Sequence, residues 1–179
     1  MSSLDKRTIG TGLLIAVVVA GASSAVTAAA VSDSDSDSPS GSGSTSEVEY
    51  LNADPATTSP YSDAVAVGSR LHLAGNLGLD AAGAVVPGGL KAQTTQMMAN
   101  LKTALERHGS SLEQVTNCEV MLATGGADTV KQFINARNAF NEVYSTYWKQ
   151  GQFPARHAFG VTGLYLGALV EIACDAVRD

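Results

Sequence analysis

Hydrophobic and polar residues alternate with two different periods along the chain after its first 47 residues. Around a Gly-Ser pair, apolar and polar residues alternate strictly, which predicts a β-hairpin made of residues 64–67 and 70–74. The stretch GAVVPGG, residues 83–89, predicts a further short strand that a Pro-Gly-Gly turn closes. Mostly apolar runs predict three more strands, at residues 115–123, 158–162 and 168–176.

Apolar residues at helical spacing predict two helices between these strands, over residues 93–108 and 129–149. Gly109 is a suitable C-cap for the first helix. One face of the second helix carries Val130, Phe133, Ile134, Arg137, Phe140, Tyr144, Tyr147 and Trp148. The order hairpin, β, α, β, α, β, β predicts an α+β fold in which two helices pack on one face of a mixed β-sheet.

The first 30 residues have the composition of a targeting segment. Lys6 and Arg7 precede an uncharged stretch that contains LLIAVVVA and ends in three alanines. A basic start, a short apolar core and an Ala-x-Ala end are typical of a secretory signal peptide. We therefore expect cleavage near Ala30 and export to the periplasm or the medium. The alternative is an uncleaved membrane anchor through residues 8–32, a length that can span a bilayer.

Residues 31–47 are rich in Ser, Asp and Gly, which predicts a disordered linker. The linker is either a spacer that holds a domain away from a membrane or simply the start of the mature chain. The folded domain is predicted over residues 48–179.

The charge and the cysteines of this domain limit its partners. It contains 12 acidic and 9 basic residues, a net charge of −3, which argues against a nucleic-acid surface. A membrane contact is expected only through an uncleaved N-terminal segment. Cys118 and Cys174 are far apart, and both a disulfide in an exported protein and two buried thiols agree with the sequence. No spacing of His or Cys predicts a metal site.

Five phrases of the domain carry a resemblance to a known family. They are SPYSDAVAVGSRLHLAG, QTTQMMANLKTAL, NEVY, FPAR and VEIACDA, and they follow one another in the family's order and spacing. The domain resembles the RidA/YjgF family of reactive-intermediate deaminases over residues 54–177. The resemblance implies a chorismate-mutase-like fold, a homotrimer with clefts between subunits, and hydrolysis of 2-imino acids to 2-keto acids and ammonia. It implies no cofactor.

Two residues carry the chemistry that the resemblance implies. Arg156 matches the family's carboxylate-binding arginine, and a planar guanidinium suits a carboxylate through two parallel hydrogen bonds. Glu171 matches the glutamate that orients water, and it lies between two apolar residues of a strand, so it points to the opposite face from them.

Five further positions match substrate-binding positions of the family. Tyr61 matches a tyrosine that lines the cleft from the neighbouring subunit, and Gly75 a glycine whose backbone lies close to the ligand. Asn141 matches a helix asparagine near the site. Ala158 stands where cysteine is common, and Ala74 stands where active deaminases usually have serine.

Other departures affect the expected substrate. His157 follows Arg156 where small residues are common, and it either adds an acid–base group or points away. Residues 124–140 appear as a longer segment than in the family. The leading hypothesis is an imine deaminase that uses Arg156 and Glu171; the alternative is a non-catalytic trimeric module that binds small carboxylate metabolites.

Overall fold

The structure is a computed structural model, and it describes residues 47–125 and 129–179. The predicted signal peptide or anchor and all but the last residue of the predicted linker lie outside these residues, as do residues 126–128 of the segment expected to be longer than in the family. Within the described part of the chain, no helix is both long enough and apolar enough to cross a membrane.

Strands of the domain form one mixed sheet. Its order is β1-β2-β3-β7-β5-β6, with the two-residue strand β4 paired beside β7. The neighbours are antiparallel except for β5 and β6, which are parallel. The strands are β1 Val48–Leu51, β2 Ala64–Val67, β3 Arg70–Leu73, β4 Asn76–Leu77, β5 Val115–Ala123, β6 Ala155–Val161 and β7 Val170–Val177.

Two α-helices cover one face of this sheet. Helix α1 is Gly89–Arg107 and helix α2 is Thr129–Tyr144, which a short 3₁₀ turn, Ser145–Tyr147, follows. The core lies between the helices and the sheet, because alternate residues of β5 and β7 and one face of each helix are buried together there. The predicted α+β architecture, with two helices on one face of a mixed sheet, is therefore confirmed.

The opposite face of the sheet carries polar and exposed side chains, since the residues between the buried ones point there. On β7 the half-buried residues Glu171, Ala173 and Asp175 point to this face. On β6, His157 and Phe159 lie on this face, with their rings stacked 6.4 Å apart. Within the described residues, no helix packs on this side.

One predicted strand is wrong, and two strands of the structure were not predicted. The hairpin of β2 and β3 is confirmed, but the strand predicted at residues 83–89 is wrong. Val85 forms only an isolated bridge with Leu79, because Asp80 accepts hydrogen bonds from the N–H groups of Ala82 and Ala84 and folds this segment as a tight turn. The sequence prediction also missed β1 and β4, which are too short to show a period.

The boundaries of three elements also differ from the predicted ones. Helix α1 begins at Gly89, four residues earlier than predicted, and α2 ends at Tyr144 rather than continuing to residue 149. Strand β6 begins at Ala155, so Arg156 lies within the strand rather than before it.

A disulfide joins Cys118 and Cys174 across the middle of the sheet. The two residues are direct partners on the antiparallel strands β5 and β7, and both are buried in the core. The sequence left open both a disulfide and two buried thiols, and the structure contains the disulfide.

Candidate active site

Arg156 lies on the helix-covered side of the sheet. Its register partner on β5 is Cys118, which is buried in the core, and the same face of β6 carries Ala158 two residues later. The guanidinium carbon stands 5.3 Å from the ring centre of Phe140 and 4.7 Å from that of Tyr144. Among the described residues, no carboxylate forms an ion pair with Arg156. The guanidinium is therefore packed against aromatic rings, and no carboxylate neutralises its charge.

A cleft of about 640 Å³ opens beside this guanidinium. Asn141 of α2 lines it, together with Phe153 and Pro154 of the loop that leads into β6. The cleft thus combines an unneutralised cation with an amide that can donate and accept hydrogen bonds. Such a set can hold a small carboxylate.

Glu171 lies on the other side of the sheet. It alternates along β7 with the buried residues Val170 and Ile172, and its partner on β4 is Leu77. Burial raises the pKa of the Glu171 carboxyl above its usual value, because partial removal from water disfavours the charge. No residue that the structure describes donates a hydrogen bond to this carboxylate.

Gly75 lets the Glu171 carboxylate lie against the backbone. A Cβ atom at residue 75 would stand 2.9 Å from Cδ of Glu171 and closer still to Oε1. The segment before β4 is held in place by two hydrogen bonds: the N–H of Ala74 donates to the carbonyl of Asp63, and the Asn76 amide donates to the carbonyl of Ala74, both at 2.9 Å. The absence of a side chain at Gly75 is therefore what leaves room for the carboxylate.

A second cleft, of about 680 Å³, contains this carboxylate. Tyr61, Ala74 and Gly75, which the resemblance singled out, line it within the same protomer, and their roles stay predictions. Leu77 and Tyr165 line it too, and neither was singled out from the sequence. The side chain of Tyr165 is 71 % exposed and belongs to the loop between β6 and β7, whose place beside Glu171 depends on strand order rather than on any local pattern.

The structure thus brings the predicted residues together in two groups. Arg156 and Asn141 share one cleft, while Tyr61, Ala74, Gly75 and Glu171 share the other. Ala158 packs against the core and lines neither cleft, so its role stays a prediction. His157 lies on the opposite side of the sheet from Arg156, the side that carries Glu171, so its acid–base role stays a prediction.

Comparison with known proteins identifies the family of the chain. The family described as Endoribonuclease L-PSP, which includes the RidA/YjgF proteins, matches residues 51–178. The chain belongs to this family. The match covers nearly all of the described domain, and it confirms the resemblance found in the sequence.

Two mammalian RidA/YjgF relatives are similar over most of their length. The chain is 38 % identical to the goat protein named 2-iminobutanoate/2-iminopropanoate deaminase over 125 residues, which are 69 % of this chain and 84 % of the relative. It is 37 % identical to the mouse protein of the same name, covering 69 % of this chain and 85 % of the relative.

Solved structures of the RidA/YjgF family share the fold. RidA from an Antarctic Psychrobacter species is 30 % identical, with a TM-score of 0.58, and the alignment covers 74 % of this chain and 98 % of that one. The yeast protein YEO7 is 27 % identical with a TM-score of 0.63, covering 74 % and 100 %.

Across residues 47–125 and 129–179, no three His, Cys, Asp or Glu side chains are grouped so that they could hold a metal ion.

Proposed function

We propose that this RidA/YjgF protein hydrolyses 2-imino acids to 2-keto acids and ammonia. The relatives named as 2-iminobutanoate/2-iminopropanoate deaminases support the reaction class. The observation that carries the proposal is the pair of unsatisfied groups in the two clefts: the guanidinium of Arg156 without a carboxylate, and the carboxylate of Glu171 without a hydrogen-bond donor. A 2-imino acid with a water molecule supplies a partner for each.

The roles follow from the chemistry of the substrate. Arg156 binds the substrate carboxylate and fixes the position of the C=N carbon. Glu171 accepts a proton from water as the water oxygen bonds to that carbon, and the imine nitrogen takes up a proton. The proton on the imine nitrogen comes from solvent, and Glu171 then returns its proton to the nitrogen of the tetrahedral product. The C–N bond breaks to release ammonia, and the hydroxyl loses its proton to solvent as it becomes the C=O of the keto acid. Tyr61 and the backbone at Gly75 border the reacting water.

In this proposal, a complete site needs residues from two copies of the chain. Arg156 and Glu171 point to opposite faces of the sheet, so a single protomer cannot present both to one small substrate. A homotrimer in which Arg156 and Asn141 of one subunit face Glu171 and Tyr61 of the next supplies the complete site.

The domain is proposed to act outside the cytoplasm, in the periplasm or the medium or on a membrane anchor. The disulfide between Cys118 and Cys174 supports this compartment, because structural disulfides are characteristic of exported proteins. The signal-like composition of residues 1–30 supports the same location. A non-catalytic module that binds small carboxylates is the alternative function.

The test of catalysis uses ammonia release from 2-iminopropanoate, generated in place by an amino-acid oxidase acting on alanine. We expect the wild-type protein to accelerate hydrolysis and Arg156→Ala to abolish the acceleration. Glu171→Gln keeps the size of the side chain but cannot accept the proton, so it loses hydrolysis and retains binding of pyruvate, the product. A wild-type protein that binds pyruvate without accelerating hydrolysis would establish the binding module instead.

The test of the shared site mixes two inactive variants. Arg156→Ala and Glu171→Gln are unfolded together in equal amounts and refolded, so that the subunits assemble at random. If each cleft takes Arg156 from one subunit and Glu171 from its neighbour, about a quarter of the clefts are intact and about a quarter of the activity returns. Refolding each variant alone is the control. A site confined to one protomer would give no recovery.

A further inference from the structure

The guanidinium of Arg156 rests on a pair of aromatic rings that nothing in the proposed reaction uses. Phe140 and Tyr144 are one helical turn apart on α2, and their rings are stacked with centres 5.0 Å apart. Both rings are buried, and both lie within cation–π distance of the guanidinium carbon. Two rings of one helix therefore form a wall behind the cation.

The acidic residue that lines this cleft already has a basic partner. Glu142 lines the same cleft as Arg156, but its carboxylate forms an ion pair with Lys91 of α1. An unpaired arginine would attract such a carboxylate, and its capacity to bind a substrate carboxylate would then be used up. The Lys91–Glu142 pair and the aromatic rings together leave the guanidinium edge free for an incoming anion.

The ring of Tyr144, rather than its hydroxyl, makes this contact. The hydroxyl is buried and finds no hydrogen-bond partner among the described residues. Burial raises the pKa of Tyr144 to about 12, so the phenol stays neutral at ordinary pH. A buried unpaired hydroxyl is unfavourable for folding, so the fold gains nothing from it over a phenylalanine.

We propose that Phe140 and Tyr144 are positioning residues that hold the Arg156 guanidinium with its flat face on their rings and its N–H edge toward the substrate carboxylate. The inference rests on the proposed role of Arg156 and deepens it. A guanidinium without this wall keeps its charge but loses its fixed orientation, and two parallel hydrogen bonds to a carboxylate need that orientation.

The experiment compares Tyr144→Leu with Tyr144→Phe in the full chain. Two readouts are used: the KM and kcat of ammonia release from 2-iminopropanoate, and the affinity for pyruvate measured by calorimetry. We expect Tyr144→Leu to raise KM and the pyruvate dissociation constant about three- to thirty-fold with a smaller change in kcat. Tyr144→Phe keeps the ring and should match the wild type in both readouts. Circular dichroism and thermal unfolding check that each variant is folded.

A double-mutant cycle separates positioning from a general structural effect. In an Arg156→Ala background, Tyr144→Leu should change pyruvate affinity no further, because the ring acts only through the guanidinium. An equal additional loss in that background would overturn the inference, as would a Tyr144→Leu variant with wild-type affinity. If Arg156→Ala itself binds pyruvate as tightly as the wild type, the proposed role of Arg156 fails and the inference fails with it. If Arg156→Ala weakens binding and Tyr144→Leu does not, only the inference fails. Phe140→Leu provides a second, independent variant should Tyr144→Leu not fold.

Discussion

Replacing Gly75 with alanine should remove activity without unfolding the domain. The added Cβ would stand 2.9 Å from Cδ of Glu171, whereas two non-bonded carbons pack at about 3.5–4.0 Å. The nearer carboxylate oxygen has to move further than Cδ, so we estimate a displacement of about 1 Å. A displacement of about 1 Å of a catalytic group costs on the order of 100-fold in rate.

The effect on stability should be small, for two reasons. Gly75 does not have a positive φ angle, so alanine fits its backbone conformation. The obstructing atoms belong to the end of a half-buried, flexible side chain, which can swing toward solvent. We expect a loss of less than about 1 kcal/mol in the free energy of unfolding, measured by urea denaturation.

The assay measures kcat for 2-iminopropanoate in Gly75→Ala beside Gly163→Ala as the matched control. A Cβ at Gly163 would meet no atom within 4 Å, and its φ angle is not positive, so that variant should keep wild-type kcat. A folded Gly75→Ala protein with wild-type kcat would refute the reasoning, because the carboxylate would then not need its place against the backbone.

Four further predictions concern pH and stability. Activity should fall as the pH decreases through the raised pKa of Glu171, because the ionised form is the base. The pH profile of kcat/KM of the wild type checks this, and an acid limb at or below the ordinary pKa of a glutamate would contradict it. The raised pKa also makes the stability of the fold depend on pH, in the direction opposite to activity. The contribution of Glu171 to the free energy of unfolding is fully present below the ordinary pKa of a glutamate and is lost as the pH rises through the raised pKa of the folded protein. Urea unfolding at several pH values measures this change. Cys118→Ala/Cys174→Ala should lower the free energy of unfolding by roughly 2–4 kcal/mol, because the bond closes a loop with a sequence separation of 56. A reductant should lower the Tm of the wild type and leave that of the double variant unchanged; an unchanged wild-type Tm would argue against the bond. Gln93→Leu should lower the free energy of unfolding by about 1–3 kcal/mol, because the buried Gln93 side chain accepts a hydrogen bond from the N–H of Leu169 at 2.7 Å. Thermal unfolding of Lys102→Leu, at an exposed position of the same helix, is the comparison.

The hydrophobic pattern alone predicted most of the long elements. Helix α1, the hairpin and strand β5 follow from period and turn chemistry, which are local properties of the chain. The pattern failed where local signals are short or ambiguous. Residues 83–89 have the composition of a strand, but a strand exists only where a partner offers hydrogen bonds along its length, and the turn at Asp80 leaves room for a single bridge.

The residues of the candidate site were predicted through motifs, whereas their arrangement was not. The phrases around Arg156 and Glu171 indicated which side chains to examine. That the two point to opposite faces depends on the parallel pairing of β5 with β6 and the antiparallel pairing of β5 with β7. Pairing of distant strands depends on the packing of the whole domain, and no local period encodes it.

The sequence by itself therefore determined the types of element, the reactive groups and the family. Only the tertiary structure decided that Cys118 is bonded to Cys174 and that the rings of Tyr144 and Phe140 pack against Arg156. It also decided that the missing side chain at Gly75 leaves room for the Glu171 carboxylate. Each of these is a contact between different elements, which no local period of the sequence encodes. Such contacts form because burying the apolar faces of both helices and the sheet in one core fixes the strand order and register, and with them the neighbours of every side chain.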